Sequence, residues 1–183
     1  MYQISIITAL VAGMAAAVSM MKKRLPKRLF GQMIWLMFAV YIAGNLYFTL
    51  LSRVPGSGTQ LDLQPFQTYA KLFEWREAGF ENATGFAAAF LKDTSPFVGV
   101  FLNVLLYCPL GYLLHILFPK LKPRYIVLIG CLCSVATEAT QYFFKMGWCE
   151  TDDVIHNTLG TAAGIWLWNR QLKSSTRGGH TDD

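Results

Sequence analysis

From Ile4 to Met21 the chain carries no charged residue, and similarly uncharged, apolar windows run from Met33 to Leu51, Phe97 to Leu114, Tyr125 to Thr137 and Val154 to Trp168. Each approaches the roughly 17–25 residues that a helix needs to cross a hydrocarbon core. The fourth window is interrupted by Glu138, but "YIVLIGCLCSVATEATQYFF" is long enough to span if that carboxyl faces protein rather than lipid. The expectation is an all-α, polytopic membrane protein with five transmembrane helices. Composition points the same way: 54% apolar and 15% charged residues in a 183-residue chain lie well outside the soluble balance. The first segment resembles a signal peptide in its small residues, yet its basic cluster follows the apolar run instead of preceding it, so it reads as an uncleaved anchor. The transmembrane domain is assigned to residues 1–172, and "KSSTRGGHTDD" (173–183), polar and Gly-containing, reads as a disordered cytoplasmic tail in which His180 carries no functional weight.

Lys and Arg accumulate in short cytoplasmic loops, so their distribution sets the orientation. If the loop after the first helix is cytoplasmic, that side holds Lys22, Lys23, Arg24, Lys27, Arg28, Lys120, Lys122, Arg124, Arg170, Lys173 and Arg177, which is eleven of the sixteen basic residues. The other side keeps Arg53, Lys71, Arg76, Lys92 and Lys145 against eight acids. The N-terminus is then outside and the C-terminus inside, as for a protein of the bacterial inner membrane. Topology and contact with anionic lipid account for the net charge of +5 without a nucleic-acid partner. The four cysteines form no disulfide framework and show no zinc spacing; no metal is assigned, and the cofactor is unknown.

The long connection from Ser52 to Pro96 falls outside the membrane in this topology. Its first part, "RVPGSGTQLDLQPF", is broken by Pro55, Gly56, Gly58 and Pro65 and is expected to form no regular element. Its second, "FQTYAKLFEWREAGF", has the mixed apolar and charged spacing of a short amphipathic helix at the outer membrane surface or capping the bundle.

Polar residues recur within the apolar windows at helical spacing. Ser134, Glu138, Gln141 and Lys145 share one face of the fourth helix, and Asp153, Asn157, Gly160 and Gly164 repeat the spacing on the fifth. The third helix carries Gly99, Asn103, Tyr107 and Gly111, while the second ends with Asn45, Thr49 and Ser52 just before Arg53. Counted from the outer ends, Glu138 lies roughly 12 Å deep, Asn103 roughly 9 Å and Asn157 roughly 8 Å, with Arg53, Asp152 and Asp153 at the mouth. Arg53, Asn103, Glu138, Gln141, Asp153 and Asn157 are thus expected to line one outward-facing cavity. Simpler roles compete at each position. Asp152 and Asp153 suit a helix start. Asn103, Gln141 and Asn157 suit interhelical bonding, and Gly160 and Gly164 close packing. Pro109 suits a kink. His115 lies near the cytoplasmic end and reads as structural, and His156 alone is weak support for a metal. Glu138 is the exception, because a carboxyl at that depth is costly unless paired or hydrated.

The blocks "TLLSR", "LDLQPF", "NVLLYCPLGYLL", "TEATQ" and "TDDVIHNTLGTAAG", in this order over Thr49 to Gly164, resemble the VanZ-like family of bacterial membrane proteins. The resemblance implies a multi-helix inner-membrane protein associated with resistance to teicoplanin, a lipid-tailed glycopeptide. Carried over by position, the family's pattern falls on Arg53, Pro65, Phe66, Asn103, Pro109, Gly111, Glu138, Gln141, Asp152, Asp153, Asn157 and Gly160. Family members commonly have an Arg between the Glu-x-x-Gln helix and the Asp pair; here "KMGWCETDD" offers Trp148 and Cys149, leaving Lys145 as the nearest cation.

Three readings of the site remain open. One is binding of a lipid-linked envelope component or a lipoglycopeptide, with Arg53 and Lys145 meeting an anionic group and Asn103, Gln141 and Asn157 bonding sugar or phosphate oxygens. The acids Asp152 and Asp153 would orient the cations, with Phe66, Trp75 and Trp148 at the interface. The second is an intramembrane enzyme acting on a lipid headgroup, with Glu138 as general acid or base and Asp152 and Asp153 holding a cation or a divalent metal. The third is a transporter or scaffold.

Overall fold

The computed structural model describes residues 2–66 and 95–177. Trp75 and all but Phe66 of the expected amphipathic helix lie outside those residues, as do residues 178–183. The chain is mostly helical. Helix α1 (Tyr2–Arg24) closes on Lys22, Lys23 and Arg24, cations at the negative end of the helix dipole. Pro26, which lacks an N–H to extend that helix, separates it from α2 (Lys27–Leu46). A five-residue π-helical turn, Tyr47–Leu51, continues α2. Helix α3 (Ser95–Leu117) contains Pro109. Helix α4 (Pro123–Phe143) starts on a proline at its first position, where the missing N–H is harmless. Helix α5 (Thr151–Arg177) runs past the expected domain boundary at residue 172.

Among the described residues, four helical stretches are long and apolar enough to cross a membrane: Ser5–Arg24, Lys27–Leu51, Val98–Leu117 and Pro123–Phe143. Helix α5 has 27 residues, which suffices in length, but two acids open it and Asn169, Arg170, Gln171 and Lys173 dilute its end. Leu10, Val40, Phe101 and Leu132, on four different helices, are each more than half exposed. An apolar surface spread over several helices is what a lipid solvent permits and water does not.

Helix α5 packs most extensively against α3. Glycines make this possible. A Cβ on Gly160 would collide with the backbone of Val104, one on Gly164 with the backbone of Cys108 and Tyr112, and one on Gly111 with the backbone of Thr161. Around that crossing, Val18, Ile34, Tyr112, Leu113 and Trp168 form one buried cluster, and Tyr107, Leu110, Leu114, Ile126 and Ile165 a second. At the α1 C-terminal end of the bundle, Tyr112 donates to Gln171, Gln171 donates to the Ala15 carbonyl (3.1 Å), and His115 pairs with Asn169 (3.2 Å). His115 is accounted for structurally there.

The segment expected to lack regular structure contains strand β1 (Gly58–Asp62), which pairs in parallel with β2 (Met146–Glu150), from Gly58 opposite Met146 to Asp62 opposite Glu150. Pro55 and Gly56 (φ +78°) turn the chain before β1, and Pro65 ends it, so the breakers flank the strand instead of abolishing it. Its partner lies almost ninety residues away, and no local pattern announces it.

Candidate functional site

The β1–β2 ladder holds the ends of α2, α4 and α5 together. Helix α4 stops at Phe143; Lys145 takes a left-handed conformation (φ 52°), and the Phe144 and Lys145 carbonyls accept from Gly56 N–H (3.1 Å) and Ser57 Oγ (3.4 Å). Thr151 Oγ1 donates to the Asp62 carbonyl (3.4 Å) at the start of α5. Beside it, buried Asp152 accepts the backbone N–H of Phe66, itself at φ 66°. Asp152 therefore ties down the turn after β1 as well as opening a helix.

At the next residue, Asp153 accepts a hydrogen bond from Asn103 of α3. Asn157, four residues on, donates to Ser134 of α4 (2.8 Å). Glu138, four residues from Ser134 and 5% exposed, accepts the Glu150 backbone N–H (3.1 Å) and bonds the Cys149 thiol. Gln141 donates to the carbonyl of Thr49 (3.0 Å), which the helix end leaves without an intrahelical partner. By helix rise, Glu138 sits about 8 Å from the end of α4, shallower than the sequence estimate because α4 stops at Phe143; Asn103 and Asn157 lie about 12 Å and 9 Å in. The stripes therefore meet at a shared depth.

Arg53 spans the mouth. Its Nη1 donates to the Met146 carbonyl (3.2 Å), and its guanidinium interacts electrostatically with both Glu138 and Asp153. A Cβ on Gly147 would stand 3.3 Å from that nitrogen, so glycine at φ +113° leaves the guanidinium room. Lys145, by contrast, is exposed and contributes its backbone carbonyl. Phe66 and Trp148 are more than half exposed at the rim. Cys149, in the loop between α4 and the Asp pair, contacts Glu138.

Within the cluster, the buried amide oxygens Gln141 Oε1 and Asn157 Oδ1, on residues 2% and 5% exposed, have no hydrogen-bond partner among the described residues. Among the described residues, no three His, Cys, Asp or Glu side chains gather as a metal site would require. The cluster is thus rich in acceptors, with one guanidinium at its edge.

The sequence reading missed the backbone members of this site. The Glu150 N–H, Phe66 N–H and Thr49 carbonyl have no side-chain signature, and no spacing in the sequence points Cys149 toward Glu138. Burial and the neighbouring Glu138 carboxyl push the Cys149 thiol above its ordinary range, so less reactive thiolate is present at pH 8. Glu138→Gln removes one of those causes and should speed Cys149 alkylation by iodoacetamide several-fold at that pH, read by intact mass. An unchanged rate would mean that Glu138 is not charged beside the thiol.

No curated protein and no solved structure matches the chain. The family model described as VanZ/LLP1 matches residues 32–172, from α2 through most of α5, and so covers every element that contributes to the cluster. The chain belongs to the VanZ/LLP1 family.

Proposed function

We propose that the cluster binds the polar part of a lipid-linked envelope component or lipoglycopeptide in the outer half of the bacterial inner membrane, and so contributes to tolerance of teicoplanin. The observation that carries this reading is the pair of buried acceptors without a partner among the described residues, Gln141 Oε1 and Asn157 Oδ1, in the cluster of Glu138 and Asp153. A buried acceptor left unsatisfied costs about 1–3 kcal/mol, a cost relieved when a ligand supplies the donor. Arg53 supports the same reading, since a guanidinium can meet a phosphate or carboxylate on the ligand. Native mass spectrometry of the purified protein tests it: a copurified amphiphile, lost in Asn157→Ala, is expected. A protein that carries none would refute the reading, and a chemically altered headgroup would favour the enzyme with Glu138 as general acid or base.

The orientation is part of the proposal. With eleven basic residues on one side, β1 faces outward. In a cysteine-free background, Gln60→Cys should react with an impermeant maleimide on intact cells and Lys23→Cys should not; the opposite pattern would invert the topology.

A further inference from the structure

A groove of about 870 Å³ opens between α1, α2 and α3, apart from the cluster. Its walls are aliphatic, including Leu10, Met14, Met37, Val40 and Leu106, with Gly44 in its lining. Three polar side chains, Tyr41, Asn45 and Asn103, also line it. Asn103 is the residue that donates to Asp153, and Asn45 accepts through its backbone carbonyl from Thr49 (2.8 Å), whose own carbonyl holds Gln141. The groove and the cluster therefore share Asn103, and hydrogen bonds through Thr49 join Asn45 of the groove to Gln141 of the cluster.

Length identifies the occupant. Along α2 and the turn that continues it, the lining runs from Leu36 to Phe48, about 18 Å of helix starting at the cluster's end of the bundle. One leaflet of hydrocarbon is about 15 Å deep. A lipid tail enters from the outer surface and ends at the midplane, a span that the groove's length matches. The chemistry of the cluster narrows the headgroup. Two carboxyls and two unpartnered amide oxygens accept, and a primary ammonium supplies three donors. A phosphodiester supplies acceptors alone and finds only Arg53.

We propose that the groove holds a hydrocarbon tail of an aminophospholipid, its ammonium against Glu138, Asp153, Gln141 and Asn157 and its phosphate toward Arg53. This rests on the binding role proposed above and names the ligand class. The pocket volume falls in the range of ordinary small-molecule sites, enough for one tail.

Gly44 supplies the test, because a Cβ there meets no atom within 4 Å and a larger side chain can fill the groove without displacing protein; Gly31 is equally open and lies outside the groove. Protein in vesicles doped with phosphatidylethanolamine bearing a tail diazirine is irradiated and its peptides are mapped. Wild type should be labelled on residues 36–48, with at least tenfold less label in Gly44→Phe and no change in Gly31→Phe. Tail-labelled phosphatidylglycerol should label the same peptide at least fivefold less. Labelling spread evenly onto the exposed Leu128 and Leu132 face, or unchanged in Gly44→Phe, would overturn the groove. Equal labelling by the two lipids would overturn the ammonium assignment, and a dimer lost in Gly44→Phe would assign the groove to a second copy instead. A headgroup amphiphile that copurifies with wild type while residues 36–48 stay unlabelled would refute this inference and leave the binding role intact.

Discussion

Gly164→Val should reduce the membrane abundance of the protein at least tenfold, whereas Gly13→Val should accumulate normally. At Gly164 the added side chain meets the Cys108 carbonyl and the Tyr112 amide, both backbone, so neither can swing aside as a flexible side chain would. At Gly13 a Cβ meets nothing within 4 Å. Overpacking a tight contact costs about 1–3 kcal/mol and more where backbone must move. The cost here falls on the α3–α5 crossing, where Gly111 and Gly160 make the same close approach and where Asn103 is brought to Asp153. Loss of that crossing removes both the core and the site. Quantitative immunoblotting of membranes with a fluorescence-detected melting curve measures it, and a Gly164→Val protein with wild-type abundance and melting would mean that the two backbones do not touch there.

Glu138→Gln should leave the protein as abundant as wild type while teicoplanin tolerance falls to that of cells carrying an empty vector. The amide oxygen can still accept the Glu150 N–H, so the tie between α4 and β2 persists and the burial cost of a charge disappears. What is lost is the charge facing Arg53 and any ligand donor. Asp152→Asn should be milder, because its amide oxygen can keep the Phe66 N–H at the rim. An abundant Glu138→Gln protein with full tolerance would reduce Glu138 to a structural bond. A protein that fails to accumulate would show instead that its charge is needed for folding.

Which parts of this arrangement were legible follows from the range of the forces involved. Hydrophobic transfer is decided residue by residue, so uncharged runs of spanning length announced α1 to α4 directly. Helical spacing is local too: Ser134, Glu138 and Gln141 all proved buried on α4, as did Asn157 and Gly160 on α5. The count of five spans was less secure, since α5 mixes apolar turns with Asp152 and Asp153 at one end and Arg170 and Lys173 at the other. The resemblance that linked these blocks agrees with the family model, which spans 32–172.

The sequence alone determined that this chain is a helical membrane protein and that its polar residues fall in stripes on helix faces, because both depend on neighbours within a few residues. Only the tertiary structure decided which stripes face one another. It paired Gly58–Asp62 with Met146–Glu150, brought Arg53 rather than Lys145 to the carboxyls, and gave Glu138 a backbone N–H from β2. It also joined Asn103 to both an aliphatic groove and Asp153. These contacts join residues up to about ninety positions apart, through backbone groups common to all residue types and helix crossings set by three glycines, so their geometry exists only once the helices are packed.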